Sequence, residues 1–445
     1  MKVLLVHHSI VPDGFVPMGL SILSAVLKKQ GHIVEMFDTF HYYHNEKIKS
    51  LSPLFKKVKK YNPKKDVFKA FENKLKTFKP GLVGFTATTN EMPMVKRLMK
   101  LTDSYIILGG AYPTTVPEKA IKIKEVNAIC IGEGEEAISE LIIFLENYIQ
   151  PTHIKNLWIK DGKDIEKNPL RPLIDINNLP YMDYDIVKKE MLIKPFEGKD
   201  YISGQIEMTR NCPYNCSYCI ESYLHKLYKG LGTIYRRKNP KRMIEEMVFL
   251  KNKHNLEFIR FGDENFLGQP LDSLKEFAEL YKHVNLPFVA ATRPETISKE
   301  KLEIIKTMPI KQISLGIEHG NEAFRKKVLN RSCLNESIIK AFQLLKEYNI
   351  KSGAYLMIGF PTETEALIRE GFDLVLKTNP DIVAVYFFRP YEKTPLMDLC
   401  KKHNLLRKGN ANYLKDSIVK GIPLKRLKKL RDDFYEEFKN RKHRD

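Results

Sequence analysis

The sequence predicts an α/β protein in which two parallel sheets follow one another along the chain and a short helical tail ends it. Two stretches, 1–150 and 201–400, each alternate short apolar runs with amphipathic segments of helical period. Strands that alternate with helices in this way form parallel sheets covered by helices. Residues 151–200 carry five prolines without a clear period, which is typical of a connector, and residues 401–445 are mostly polar and helical.

The first stretch contains five strand–helix units of a doubly wound sheet. We expect strands at 3–6, 33–37, 82–85, 105–108 and 128–131, and helices at 17–29, 66–78, 92–101, 117–122 and 135–148. Glycine-containing runs follow three of the strands, at 84–89, 109–114 and 132–135. Glycine lets a large ligand approach the backbone, and ligands of such sheets bind beyond the carboxyl ends of the strands. The pattern favours a bound cofactor at this edge, although ordinary tight turns use the same residues.

The second stretch contains six further units. We expect strands at 202–208, 258–261, 288–291, 312–316, 353–358 and 382–388, and helices at 240–253, 271–283, 299–306, 336–348 and 365–376. Six units make an open, partial (β/α)6 version of the eightfold barrel. Functional groups are therefore expected at the carboxyl ends of its strands.

Composition narrows the class of protein. Apolar residues make up 43% of the chain, but no apolar run approaches the roughly 20 residues that a membrane helix needs. The short apolar run 3–6 fits a first strand better than a signal peptide, so we expect a cytoplasmic protein without a membrane span. The net charge of +20 comes from lysines spread along the whole chain, which indicates solvated faces. A nucleic-acid-binding protein is the alternative interpretation of that charge.

Three of the six cysteines, Cys212, Cys216 and Cys219, follow the first strand of the second stretch. Clustering of this kind in so long a chain favours a metal site over a disulfide framework. Three thiolates on one short loop can hold three irons of a 4Fe–4S cubane and leave the fourth iron open. A zinc site completed by His225 is the alternative. The remaining cysteines, expected to be buried core thiols, are Cys130, Cys333 and Cys400.

The Cys-x3-Cys-x2-Cys motif, with Tyr218 before its last cysteine, resembles that of the radical S-adenosylmethionine (SAM) superfamily. Further segments resemble its B12-dependent branch: 17–20, 109–114 and 132–135 in the N-terminal module, and 262–266, 316–320, 359–361 and 389–396 in the catalytic domain. The resemblance covers about residues 1–400. It implies a Rossmann-like cobalamin-binding domain at 1–150, a connector at 151–200, a radical SAM partial barrel at 201–400 and a helical extension at 401–445. The implied cofactors are a 4Fe–4S cluster on the three cysteines, SAM and cobalamin.

The same resemblance assigns further site residues. Those that would bind SAM are Tyr218, Gly262, Asp263, Glu264, Arg293, Glu318, Arg331 and Gly359. Those that would bind cobalamin are Ser9, Pro17, Gly19, Thr86, Thr88, Thr89, Gly109, Gly110, Tyr112, Gly132, Glu133 and Gly134. The motif Asp-x-His-x-x-Gly, whose histidine ligates cobalt in other cobalamin domains, is absent, because His41 and His44 follow Asp38 at the wrong spacing. Cobalamin is therefore expected without a protein nitrogen on cobalt, and a module that binds nothing is the alternative.

The implied reaction is methylation of an unactivated carbon. One SAM would supply the methyl group by way of cobalamin, and a second, cleaved at the cluster, would supply the 5′-deoxyadenosyl radical. An external electron donor of flavodoxin or ferredoxin type is also implied. A radical cyclase, oxidase or rearrangement enzyme on the same scaffold is one alternative. A basic nucleic-acid-binding iron–sulfur protein is another, and the sequence does not specify the substrate.

Overall fold

The computed structural model describes residues 1–9, 16–42, 66–407 and 417–442. His44 and the side chain of His41 lie outside the described part of the chain. No helix in the described residues combines the length and the apolar character that a membrane crossing requires.

The N-terminal sheet has seven strands in the order β2-β1-β3-β4-β5-β6-β7. The first five pair in parallel and the last two add an antiparallel hairpin. The strands are β1 Lys2–His7, β2 Ile33–Asp38, β3 Leu82–Thr86, β4 Tyr105–Gly109, β5 Ala128–Cys130, β6 Leu157–Asp161 and β7 Asp164–Lys167. The helices are α1 Met18–Lys29, α2 Val67–Phe78, α3 Met92–Met99, α4 Ala111–Thr115, α5 Pro117–Ile121 and α6 Glu135–Glu146.

β1 shows why these residues form a central strand. Val3 and Leu5 join one hydrophobic core, whereas Leu4 and Val6 join the core on the opposite face of the sheet. A continuous apolar run is what a parallel strand covered on both faces requires. Because β1 lies between β2 and β3, the strand order reverses here, and the crevice expected to hold a ligand opens beyond the ends of β1 and β3.

Residues 151–200, predicted as a connector, contain strands that were not predicted from the sequence. β6 and β7 extend the first sheet, with a turn at Gly162 in the left-handed region (φ 58°). A short helix and strand, α7 Lys189–Leu192 and β8 Ile193–Phe196, then lead into the second sheet. These elements are four or five residues long, too short for their period to stand out among five prolines.

The second sheet has the order β16-β15-β14-β13-β12-β9-β8, with six parallel strands and β8 antiparallel at one edge. This confirms the open partial barrel. Its further strands are β9 Lys199–Ile206, β12 Phe258–Phe261, β13 Phe288–Thr292, β14 Ile310–Glu318, β15 Lys351–Ile358 and β16 Ile382–Phe387, and a two-residue ladder joins β10 Thr209–Arg210 to β11 Arg236–Arg237. The helices are α8 Glu221–Leu227, α9 Pro240–His254, α10 Leu271–Tyr281, α11 Lys299–Ile305, α12 Glu322–Lys327, α13 Asn335–Glu347, α14 Glu365–Thr378, α15 Pro395–Lys402 and α16 Leu424–Lys442.

The C-terminal helix α16 is docked on the barrel. The Phe434 ring stacks on Phe372 of α14 at 4.3 Å between centroids, and the Tyr435 hydroxyl accepts a hydrogen bond of 2.9 Å from the Val385 amide. In its basic run, the Arg426 guanidinium pairs with Glu365 at 2.5 Å. The helix therefore has an apolar face that the barrel covers and a charged face that is partly paired.

Candidate active site

The three clustered cysteines lie on the loop 211–220, between β10 and α8. The barrel holds this loop from the side of α12. The Ser217 amide donates to the Leu329 carbonyl at 3.0 Å, and the Asn330 side-chain amide donates to the Asn215 carbonyl at 2.6 Å. Cys216 is buried, and the other two cysteines are half-buried. The loop is thus held by the barrel at its middle, where Cys216 lies.

The donor set fits an iron–sulfur cluster better than a single metal ion. All three thiols are free, and the Arg293 guanidinium donates a hydrogen bond of 3.2 Å to the Cys216 sulfur. Burial raises the pKa of the Cys212 thiol to about 11. Cluster thiolates each bind a different iron, so they need not converge on one point, and no group of His, Cys, Asp and Glu in the described residues does so. The His225 ring, considered above as a zinc ligand, lies 2.8 Å from the Cys212 carbonyl.

A second feature is the buried charge network around Arg331, beside the cysteine loop. Its guanidinium donates to the Gly316 carbonyl at 2.5 Å and lies 3.8 Å from both the Glu318 and the Glu295 carboxylates. It also approaches the Tyr218 hydroxyl at 3.5 Å. The Arg331 Nε is buried without a hydrogen-bond partner. An unsatisfied cationic donor here fits the carboxylate of a ligand such as SAM.

Glu318 reaches this network through an irregular end of β14. Its backbone is left-handed (φ 68°), and the register against β15 shifts between Gly316 and Glu318. A Cβ at position 316 would collide with the Glu318 carboxylate, so glycine is required there. Burial raises the pKa of Glu318, and the nearby Arg331 opposes that rise. Strained backbone that holds a half-buried carboxylate is typical of a functional site.

The two carboxylates that follow β12, Asp263 and Glu264, have different roles. The Asp263 carboxylate accepts from the Met208 and Thr209 amides at 3.1 and 2.8 Å and from the Thr209 hydroxyl at 2.7 Å. Its oxygens are therefore used to hold the backbone that leads to the cysteine loop. The Glu264 side chain is accessible from solvent, although the surrounding protein withdraws its carboxylate from much of the water. This desolvation, and then repulsion from Glu221, raise the pKa of Glu264 to about 7. Of the two carboxylates predicted to face SAM, Glu264 is the accessible one.

Two further predicted residues lie at contacts with other parts of the chain. A Cβ on Gly262 would lie 3.0 Å from the Met18 methyl group, at the start of α1 in the N-terminal domain. Gly359 is left-handed (φ 86°), and the Leu427 side chain of α16 lies against it. The amides of Gly359 and Phe360 both donate to Glu363.

The residues predicted to bind cobalamin lie together at the carboxyl edge of the N-terminal sheet. Gly110 is left-handed (φ 91°), and a Cβ there would lie 2.6 Å from the Thr86 hydroxyl, so the two loops touch. The Thr88 hydroxyl is buried without a partner. The other predicted residues at this edge lie in loops, at helix starts or, for Gly109, at the end of β4: Ser9, Pro17, Gly19, Thr89, Gly109, Tyr112, Gly132 and Gly134. Glycine backbone and an unpartnered hydroxyl at the carboxyl edge of a parallel sheet fit a polar ligand that approaches the main chain.

Glu133 differs from this group, because the catalytic domain occupies its carboxylate. Arg236 donates to it at 2.6 Å and Arg210 at 3.0 Å. Burial alone would raise the pKa of Glu133, but the two arginines outweigh it and lower that pKa. Sequence reasoning missed both arginines. The available signal was the position of Arg210, two residues before the first cluster cysteine.

Comparisons with known proteins identify the families of both domains. Residues 206–375 match the model of the radical SAM superfamily, and residues 11–142 match the model of the B12 binding domain. An uncharacterized methyltransferase of Pyrococcus horikoshii is 23% identical over 75% of this chain and 72% of its own length. The anaerobic magnesium-protoporphyrin IX monomethyl ester cyclase of Synechocystis is 22% identical over 75% of this chain and 66% of its own length.

Among solved structures, the radical SAM methyltransferase TsrM of Kitasatospora setae, with cobalamin and a 4Fe–4S cluster bound, superposes with a TM-score of 0.70. The match covers 92% of this chain and 76% of TsrM, at 16% identity. Such a match confirms the fold, including the succession of the two sheets.

Proposed function

This chain is a radical SAM protein with a B12-binding domain, and we propose that it transfers a methyl group from SAM, by way of cobalamin, to an unactivated carbon. When bound, these cofactors supply reductive cleavage of SAM, hydrogen-atom abstraction and a transferable methyl group. The task of the protein is to hold the cofactors and the substrate carbon in line. The substrate itself belongs to no class that the structure specifies.

The observation that carries the proposal is that the ligand-binding edges of the two sheets face each other. Met18, at the start of α1, touches Gly262 beyond the end of β12. Glu133, after β5, bonds to Arg210 just before the cysteine loop. Reaction between groups held on two domains requires their sites to be adjacent and oriented.

Each residue around the cluster has a distinct task in this proposal. Cys212, Cys216 and Cys219 hold the cluster, and Arg293 stabilises the Cys216 sulfur. Arg331 holds the carboxylate of SAM through its free Nε, and Glu318 keeps the guanidinium oriented. Glu264 accepts the ammonium group of SAM in an open cleft. Asp263 acts only through the backbone of the cysteine loop.

The proposal includes an electron donor and a location. Radical SAM enzymes need a reductant, and a flavodoxin or ferredoxin would supply one electron at a time. All six cysteines are free, which suits a reducing compartment such as the cytoplasm.

Isotope transfer tests the proposal. The protein is reconstituted anaerobically with iron, sulfide and hydroxocobalamin, reduced, and given SAM with a deuterated methyl group and a small-molecule extract of the source organism. We expect a product that carries the deuterated methyl group, with release of both S-adenosylhomocysteine and 5′-deoxyadenosine. A Cys216→Ala variant should give neither the labelled product nor 5′-deoxyadenosine, and Cys333→Ala is the matched control that should give both.

A second candidate is radical cyclisation or oxidation of the substrate, favoured by the similarity to the Synechocystis cyclase. The same experiment separates the two functions. Release of 5′-deoxyadenosine without deuterium in any product would contradict methyl transfer and support cyclisation or oxidation.

A further inference from the structure

A buried cluster of four charged residues joins the two domains. Glu133 and Glu135 belong to the B12-binding domain, in the loop after β5 and at the start of α6. Arg210 and Arg236 pair across the β10–β11 ladder of the radical SAM domain. Glu135 is buried, and the side chains of the other three are between 11% and 17% exposed.

The pairs in this interdomain charge cluster have short distances. The Arg210 guanidinium bridges both carboxylates, at 3.0 Å from Glu133 and 2.8 Å from Glu135. Arg236 donates to both Glu133 oxygens, at 2.6 and 3.0 Å. Arg210 also lies 3.8 Å from Glu207, so it keeps carboxylate partners when Glu133 is removed. Arg236 pairs with Glu133 among the carboxylates of the described residues, so removing Glu133 would leave that guanidinium without a counter-charge.

The charge cluster continues to the first cluster cysteine. Arg236 also donates to the Asn211 side-chain carbonyl at 3.0 Å. Asn211, which directly precedes Cys212, has left-handed backbone (φ 66°) and donates at 3.4 Å to the buried Glu221. Arg236 therefore fixes Asn211 at the start of the cysteine loop, and Glu133 in turn fixes Arg236.

The far side of the cysteine loop rests on the same domain. α8 begins two residues after Cys219, and the hydroxyl of its Tyr223 donates to the Thr114 carbonyl at 3.2 Å. Tyr228, which follows α8, lies so close to Gly132 that a Cβ there would collide with its hydroxyl. The loop is thus bracketed by contacts with the 132–135 loop and with α4.

From this geometry we propose that Glu133 is a positioning residue, which sets the conformation of the cysteine loop across the domain boundary through Arg210 and Arg236. SAM binding at the cluster then depends on a side chain of the other domain. A ligand that moves the 132–135 loop would change SAM affinity, and by reciprocity SAM would change the affinity for that ligand. That second consequence rests on the proposed function, because it requires cobalamin to bind; the first does not.

The test compares Glu133→Gln with Glu136→Gln, a matched control from the first turn of the adjoining helix α6. Glu136 pairs with Arg171 at 2.5 Å outside the interdomain charge cluster, and its side chain is 55% exposed. Each protein is loaded with iron and sulfide without cobalamin, reduced, and titrated with SAM by electron paramagnetic resonance. For Glu133→Gln we expect an altered spectrum of the reduced cluster and SAM affinity weakened about fivefold or more, at unchanged iron content. Glu136→Gln should match the wild type.

Arg210→Lys is the second variant, because a lysine keeps the charge but lacks the planar, forked donors with which the guanidinium reaches both carboxylates. We expect weaker SAM binding here too, and a less than additive loss in the double variant, since both changes remove the Arg210–Glu133 pair. If Glu133→Gln fails to fold, Arg210→Lys alone tests the proposal. Spectra and SAM affinities equal to the wild type in the folded variants would overturn it. If the wild type fails to retain cobalamin, that result contradicts the proposed function. The role of Glu133 is still tested, because the SAM titrations are made without cobalamin.

Discussion

Asp263 gives a quantitative test because its carboxylate is buried and, within the described part of the chain, forms no ion pair with a cationic side chain. Burial raises its pKa from the usual 3.8 to about 6, although Thr209 and Met208 donate hydrogen bonds to it. An acid with a higher pKa in the folded state binds its proton more tightly there. Its contribution to stability is therefore greatest below pH 3.8 and is lost as the pH rises through about 6. That rise in pKa corresponds to about 3 kcal/mol.

The perturbation is Asp263→Asn, which removes the charge and keeps one oxygen to accept from Thr209. As the pH rises from about 4.5 to about 7.5, the wild type should lose about 2 kcal/mol of unfolding free energy that the variant keeps. The stability difference between the two proteins should therefore shift by that amount in favour of the variant. Asp263→Ala is the contrasting variant. It leaves several buried donors unsatisfied and should lose about 2–5 kcal/mol at either pH.

Urea unfolding of the cluster-free protein, followed by circular dichroism at several pH values, measures these differences. A stability difference between wild type and Asp263→Asn that stays constant with pH would refute the reasoning about burial. Asp263→Asn should also load iron normally, since the loop backbone keeps an acceptor. Loss of the cluster in that variant would show that the charge itself is required.

Three further predictions follow from the same contacts. Alanine at Cys212, Cys216 or Cys219 should abolish the cluster absorbance after reconstitution, whereas alanine at Cys130, Cys333 or Cys400 should preserve it; equal iron content in both sets would contradict the assignment. Arg331→Met should abolish the SAM-dependent change in the paramagnetic spectrum and lower stability by about 1–3 kcal/mol, because the half-buried Glu318 loses its cationic partner; SAM binding that survives this change would remove Arg331 from the site. Phe434→Ala should lower stability by about 3–5 kcal/mol and expose α16 to limited proteolysis, since the ring stacks on Phe372; unchanged protease resistance would show that other contacts hold the helix.

Most of the fold could be predicted because apolar residues recur along the longer helices and strands with the period of each structure. The six parallel barrel strands and the five parallel strands of the first sheet fall within a few residues of their predicted places. The hairpin β6–β7 was missed because each strand is so short that alternation covers only two or three side chains. Strand β8 was missed for the same reason, and its pairing with β9 is a tertiary contact that local pattern does not encode.

The candidate site was predictable in part. The spacing of the cysteines specifies their proximity, and barrel topology brings Glu318 and Arg331 to the same edge. The task of Asp263 could not be predicted, since a carboxylate beside a ligand and one that caps backbone amides look alike in sequence. Glu133 was assigned to cobalamin because its loop is glycine-rich, and only the structure brings Arg210 and Arg236 to it. Long-range ion pairs of this kind leave no periodic signal.

The central claim is that one chain holds a cluster and cobalamin on facing edges. Anaerobic reconstitution with iron, sulfide and hydroxocobalamin, followed by desalting, a visible spectrum and metal analysis, tests it most directly. We expect about one corrin and about four irons per chain, with the corrin band retained beside the broad absorbance of the cluster. A protein that keeps the cluster but releases all corrin would contradict it.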